Sequence, residues 1–280
     1  MRIARFVWRN RVRWGAIEGD RVRAVRIGGD NSPSVGKFLC SLAEVRLLAP
    51  IDPYRNKVAA IAANYGERDD RDGPGIFMKQ SGTVVGHDDP IIYPRTGLSI
   101  IHEAELGVVI GRAAKNVPVG EADDYVLGYT CINDVSGSRF TADDTGRGTS
   151  MRWKHFDTFC PVGPWIDTDL EPGSGASSPP ESSAPRASDP RRRIQCRVNG
   201  ETVVDGSTDD MLWNVAQLVS WVSEAMTLYP GDVIATGCPG VGEISVGDTV
   251  EVEVEGVGTL RNFVVADPAP PTADWPALIR

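Results

Sequence analysis

Apolar and polar residues alternate in short runs along most of this chain, and a two-residue period predicts strands rather than helices. Near the start, Ile3–Trp8, Arg13–Glu18 and Arg21–Ile27 read as strands, with Asn10-Arg11 and Gly19-Asp20 as turns. From about Lys57 onward, strands are predicted at Val58–Ala62, Ile76–Lys79, Ile91–Tyr93, Ser99–Ile110 and Val126–Asn133. Further strands are predicted at Ile194–Val198, Asp232–Thr236 and Asp248–Glu255. One helix stands out, from about Asp209 to Leu228. Its apolar stripe is Met211, Leu212, Val215, Leu218, Val219, Val222 and Met226; Ser207-Thr208-Asp209 are candidate caps and Pro230-Gly231 its stop. The expected fold class is mainly β with a few helices (α+β). A small β-rich N-terminal domain over residues 1–52 would precede a larger domain over 53–280. Glu171–Pro190, rich in Ser, Pro, Ala and Gly, is expected to be a flexible surface insertion. The Arg191–Arg193 triplet after it reads as a solvated strand edge or an anion patch.

Two glutamates interrupt the most apolar of these strands. Glu103 and Glu105 are two residues apart in Ile100-Ile101-His102-Glu103-Ala104-Glu105-Leu106-Gly107-Val108-Val109-Ile110, so both side chains project from one face. Side by side in an apolar setting, two carboxylates repel each other and are costly to desolvate. A hard cation such as Mg²⁺, Mn²⁺ or Ca²⁺ relieves both problems. The chain carries its own control in Thr249-Val250-Glu251-Val252-Glu253-Val254-Glu255. There alternation is strict, and the pattern reads as valines inward and glutamates in water. Around Glu103 the apolar residues continue on both faces, which sets a ligand pair beside the ordinary solvated face as an equal reading.

Composition narrows the function classes. The net charge of −9 argues against a nucleic-acid partner, and no run approaches the roughly 20 apolar residues that span a bilayer. Arginines at positions 2, 5, 9 and 11 leave no apolar signal-peptide core, so the cytoplasm is the expected location. Five cysteines without CxxC spacing read as buried free thiols, and three histidines limit imidazole chemistry. The turn Gly237-Cys238-Pro239-Gly240-Val241-Gly242 lacks the Gly-Lys-Ser/Thr of a phosphate loop. It reads as a tight turn or a backbone approaching a small ligand.

Six segments in order resemble the fumarylacetoacetate hydrolase (FAH) family, in its small bacterial form with a short N-terminal domain. They are Ala63-Asn64-Tyr65, Ile76-Phe77-Met78-Lys79, the Glu103-Ala104-Glu105-Leu106 strand, Asn133-Asp134-Val135-Ser136, the Lys154-His155-Phe156-Asp157-Thr158-Phe159 segment, and Gly231-Asp232-Val233-Ile234-Ala235-Thr236-Gly237. The resemblance implies a mixed β-sandwich or roll, a homodimer, and a divalent metal held by Glu103, Glu105 and Asp134. It further implies a 2-oxo acid or β-dicarbonyl (acylpyruvate-like) substrate, polarised toward its enolate. By the same resemblance Lys154 is catalytic and substrate-binding, and Tyr65, Arg139 and Thr236 contact substrate. On residues alone, Asp134 also reads as a turn residue, and Lys154 as a surface lysine lying over Phe156.

The lid departs from the family pattern. Where the family carries a histidine and, a turn later, a glutamate that activate water, this chain has Arg68 and Arg71. A guanidinium stays protonated and cannot act as a base, but it can clamp a substrate carboxylate. Glu67 is the lid residue able to take over base duty, or else a solvated loop carboxylate. The expected activity is C–C bond hydrolysis or decarboxylation. Isomerisation, tautomerisation or dehydration is the alternative, as is a member that binds metal and ligand without hydrolysis.

Overall fold

The computed structural model describes residues 1–27, 33–67, 73–137, 150–170 and 192–268. Two sheets carry most of them. The larger runs in the order Pro33–Ser41, Arg21–Ile27, Arg11–Glu18, Arg2–Trp8, Cys160–Asp167, Val126–Asn133, Ile100–Ile110, Val233–Ala235, Val58–Ala62, Gly75–Lys79. The smaller has Glu201–Ser207, Arg193–Val198, Thr249–Val254, Gly258–Ala266 and Pro90–Tyr93. Most pairings are antiparallel, but Val58–Ala62 runs parallel to Val233–Ala235 and Pro90–Tyr93 parallel to Gly258–Ala266. The fold is mainly β, as the alternation predicts. The insertion expected over residues 171–190 lies outside the described residues.

The first four strands form a meander. Its first turn centres on Arg9 and Asn10, both with positive φ, one residue earlier than the sequence suggests. The meander is hydrogen-bonded into the large sheet, where Arg2 pairs with Asp167 and Ile3 with Ile166. That partner strand, Cys160–Asp167, is absent from the expected set because it holds Pro161 and Pro164, residues that lack a ladder donor. Pro33–Ser41, Glu201–Ser207 and Gly258–Ala266 are strands that the sequence reading also omitted.

The expected helix over 209–228 is shorter and starts later. Ser207 caps a 3-10 turn, Thr208–Asp210, and the chain bends through Leu212 and Trp213 before Val215–Ala225 begins. Asn214 and Gln217 form the capping box, with each side chain accepting from the other's backbone N–H. The helix ends at Met226, before Pro230-Gly231, and buries Leu218, Val219 and Val222. Met211 and Leu212 therefore belong to the preceding segment, not to the helix. Among the described residues no helix is long and apolar enough to cross a membrane.

The strand Ile100–Ile110 organises the centre, and its two neighbours break at adjacent positions, one beside Glu103 and the other beside Glu105. On one edge Val126–Asn133 ends with Asn133 opposite Ala104, and pairing resumes with Ser136 opposite Ile101. On the other edge Ala235 lies opposite Gly107, and pairing resumes with Val241 opposite Glu103. Residues 134–135 and 236–240 leave the ladder there. The two glutamates therefore sit where backbone pairing gives way to side chains.

Candidate active site

The interruption is closed by side-chain and turn hydrogen bonds. Glu103 N–H donates to Asn133 Oδ1 at 3.0 Å, and Asp134 N–H donates to Glu103 O at 2.9 Å. Opposite, the Thr236 hydroxyl donates to Leu106 O at 3.0 Å, and Gly237 N–H donates to Glu105 Oε2 at 2.9 Å. Gly237 has φ +89°, and a Cβ there would meet the Asn64 Cβ at 3.0 Å, so the position suits glycine. Asn64 ties this turn to the helix approach. It accepts from Trp213 N–H at 2.8 Å and donates to Thr236 O at 2.8 Å. Ala63, with φ +58°, turns the chain out of the Val58–Ala62 strand so that residues 63–65 line the site.

The result is a cavity of about 580 Å³. Ile61, Ile76 and Phe77 form an apolar wall; Glu103, Glu105, Lys154, Tyr65 and Cys238 supply its polar chemistry. Lys154 is buried and donates to both oxygens of Glu103 at 2.9 Å and to Asp134 Oδ2 at 2.7 Å. Its ammonium lies 5.0 Å from the Phe77 ring centroid. Lys79, also buried, reaches Asp134 Oδ1 at 2.6 Å and donates to Val135 O at 3.2 Å. Ser136 Oγ donates to Glu103 Oε1 at 2.8 Å.

Electrostatics divides the three carboxylates. Burial works against the charge of Asp134, but Lys79 and Lys154 outweigh it and hold its pKa below the ordinary value. Burial and the Asp134 charge push Glu103 up, partly offset by Lys154. Glu105 is pushed well up by burial and by both other carboxylates. It is 1% exposed, has no ion-pair partner among the described residues, and its Oε1 accepts no hydrogen bond there. Burial opposes the Lys154 charge too, yet Asp134 and Glu103 raise its pKa above that of a free lysine. Tyr65 is raised by burial and Glu105, and its buried hydroxyl has no partner among the described residues. His102 is fully buried and held neutral by desolvation, its pKa lowered to about 4. Among the described residues no histidine lines the cavity.

The structure thus brings together Tyr65, Glu103, Glu105 and Lys154, with Asp134 bound to the group through Lys154. Among the described residues, three side chains able to ligate a metal have donor atoms within 4.8 Å of one another: Glu103, Glu105 and Cys238. Asp134 is not in that triad; two lysines engage its oxygens. Thr236 is fully buried with its hydroxyl committed to Leu106, and its successors Gly237 and Cys238 line the cavity instead. Glu67 is exposed and does not line the cavity. Arg68, Arg71 and Arg139 lie outside the described residues. Sequence reasoning gave no role to Lys79 or Cys238. A lysine ending an apolar strand was the available signal for the first, and Cys-Pro within a glycine turn for the second.

A mixed-β scaffold that gathers carboxylates and a buried lysine in one cavity defines a class of small-molecule enzyme. The profile described as Fumarylacetoacetate (FAA) hydrolase C-terminal matches residues 53–265, and one described as Rv2993c-like, N-terminal, matches residues 1–50. The chain belongs to the fumarylacetoacetate hydrolase family and is an enzyme of that family. The structure of 5-carboxymethyl-2-hydroxymuconate delta-isomerase from Mycobacterium smegmatis is 39% identical with a TM-score of 0.81, covering 95% of this chain and 100% of that one. Maleylpyruvate hydrolase from Sphingobium sp. SYK-6, in complex with manganese(II) and pyruvate, is 28% identical with a TM-score of 0.72, covering 95% and 99%. The human mitochondrial oxaloacetate tautomerase is 35% identical over 238 residues, 80% of this chain and 70% of that protein.

Proposed function

We propose that this chain is an isomerase or tautomerase of 2-oxo acids and related β-dicarbonyl compounds. The observation that carries the reading is the cavity lining: its proton donors are the Lys154 ammonium, bonded to Glu103 and Asp134, and the Tyr65 hydroxyl, and among the described residues no histidine lines it. Lys154 and Tyr65 are donors to negative charge rather than bases for water. The one described lid carboxylate, Glu67, is exposed and outside the lining. A β-dicarbonyl gives up its central proton readily, so the main task is to hold the resulting charge and return the proton at a chosen carbon. Lys154 Nζ stabilises charge on a substrate oxygen, and Tyr65 Oη, buried without a partner among the described residues, gains a hydrogen bond when an oxygen arrives. The apolar wall of Ile61, Ile76 and Phe77 accepts the remainder of the substrate.

A divalent cation fits the donor set, because Glu105 is a buried carboxylate with a free oxygen and no counter-charge among the described residues. Glu103 and Glu105 would hold Mg²⁺, Mn²⁺ or Ca²⁺, and Asp134 would join them on giving up a lysine contact. Such a cation supplies Lewis-acid polarisation of adjacent substrate oxygens. Hydrolytic C–C cleavage or decarboxylation is the second reading, favoured by the likeness to maleylpyruvate hydrolase.

The test is a set of 2-oxo acids, oxaloacetate and acylpyruvates included, assayed with Mn²⁺ or Mg²⁺ and with chelator. Loss of enol absorbance with deuterium uptake from D₂O at C3, and no cleavage products, is the expected result. Release of pyruvate or CO₂ in step with enol loss would replace isomerisation with cleavage, and no turnover of any of them would overturn both readings.

A further inference from the structure

We propose that Cys238 gives the carboxylate site a sulfur donor, so that the centre of this chain prefers thiophilic divalent cations such as Zn²⁺ and Co²⁺ to Mg²⁺. This rests on the metal-site reading above. Sulfur ligation selects softer ions, while an all-oxygen site suits Mg²⁺ and Ca²⁺.

Geometry supports the assignment from two sides. The Cys238 sulfur and carboxylate oxygens of Glu103 and Glu105 lie within 4.8 Å of one another. The contact from Sγ to Glu103 Oε2, 3.9 Å, is long and leaves the sulfur available. Independently, Glu105 is 1% exposed, lines the same cavity, and has one oxygen without a hydrogen bond among the described residues. The other cysteines, Cys40, Cys131, Cys160 and Cys196, are buried in the core and line no part of this cavity.

The thiol is also held in place. Thr236 is anchored to Leu106 O through both its backbone N–H and its hydroxyl, and Gly237 N–H is held by Glu105. On the other side Pro239 packs so closely on Gly206 that a Cβ there would meet the proline ring at 2.4 Å. Cys238 is fixed between two anchored neighbours, as a donor must be to define a site. On coordination the thiol exchanges its proton for the cation, and the proton leaves to solvent.

The experiment titrates the full chain with Co²⁺, comparing wild type with Cys238→Ser. Wild type should show near-ultraviolet sulfur-to-cobalt charge-transfer absorbance together with visible d–d bands; Cys238→Ser should keep the d–d bands and lose the charge transfer. The same variant should bind Zn²⁺ at least roughly 10-fold more weakly and Mn²⁺ within about 3-fold of wild type. Should Cys238→Ser fail to fold, wild type alone suffices: alkylation of Cys238, mapped by mass spectrometry, should be slowed by Zn²⁺ and not by Mg²⁺. Cobalt d–d bands without charge transfer in wild type, charge transfer that survives in Cys238→Ser, or equal protection by the two metals would overturn this inference and leave the metal site standing. Failure of wild type to bind Co²⁺, Zn²⁺ or Mn²⁺ would overturn the metal site itself.

Discussion

The chain contains two Glu-x-Glu strands, and they answer the same repulsion in opposite ways. On Thr249–Val254 the valines are buried and the glutamates stand at the surface. Arg197, from the paired strand, donates to Glu251 at 3.1 Å and to Glu253 at 2.7 Å, so one arginine bridges the pair in partial contact with water. On Ile100–Ile110 the pair faces inward. Lys154 serves Glu103 but shares its charge with Asp134, and Glu105 is left with one backbone N–H. Identical spacing therefore yields a solvated ion-pair ladder in one sheet and a buried carboxylate without an ion-pair partner among the described residues in the other. The local balance of counter-charge separates a site from a surface.

The sharpest attempt to break this contrast is catalytic. Glu105→Gln should lower kcat/KM by roughly 10²–10³-fold, the scale of losing one group that stabilises transition-state charge, whereas Glu253→Gln should change it less than about 2-fold. Comparable losses in both would abolish the distinction. A second attempt is thermodynamic. Lys79→Met removes a buried partner of Asp134 and should destabilise the fold by about 3 kcal/mol in denaturant unfolding. Arg197→Ala should cost no more than about 1 kcal/mol, because its pairs are partly exposed and screened.

The pH dependence sharpens it further. Glu105 has a folded-state pKa raised above the ordinary 4.5, so its favourable contribution is present below that value and lost as pH rises through the folded pKa. In chelator, the melting temperature should fall across that interval, and Glu105→Gln should flatten the slope. Saturating metal should flatten it too, since coordination replaces the proton. The smallest effect expected is ionic. Raising salt should weaken the Arg197 pairs and leave the Lys79–Asp134 pair nearly unchanged, read as the salt dependence of each variant's stability.

Much of this contrast was legible in the sequence. Apolar residues on both faces after Glu105 marked its strand as buried, and strict alternation marked the other as half-exposed. What escaped was non-local. Cys160–Asp167 carries two prolines that speak against a central strand, yet tertiary packing seats it between Arg2–Trp8 and Val126–Asn133. Ser207 has good capping chemistry, but it closes a 3-10 turn, and Asn214 starts the helix. Lys79 and Cys238 meet the carboxylates only because strands remote in sequence converge. No local pattern encodes those meetings. Thr236, expected at the substrate, is turned inward to mend the broken ladder at Leu106.

The pairing of distant strands also fixes when the cavity can exist. Val58–Ala62 finds its parallel neighbour only in Val233–Ala235, and Lys57 N–H is satisfied by Asp232 Oδ1 at 2.9 Å. During synthesis Glu103 and Glu105 emerge long before residues 233–238, so for nearly half of translation they have neither the 236–240 turn nor the Val233–Ala235 neighbour. High sequence separation between partners slows folding and leaves sheet edges open to intermolecular pairing meanwhile. Refolding should therefore be slow and concentration-sensitive, with the site assembling among its last events.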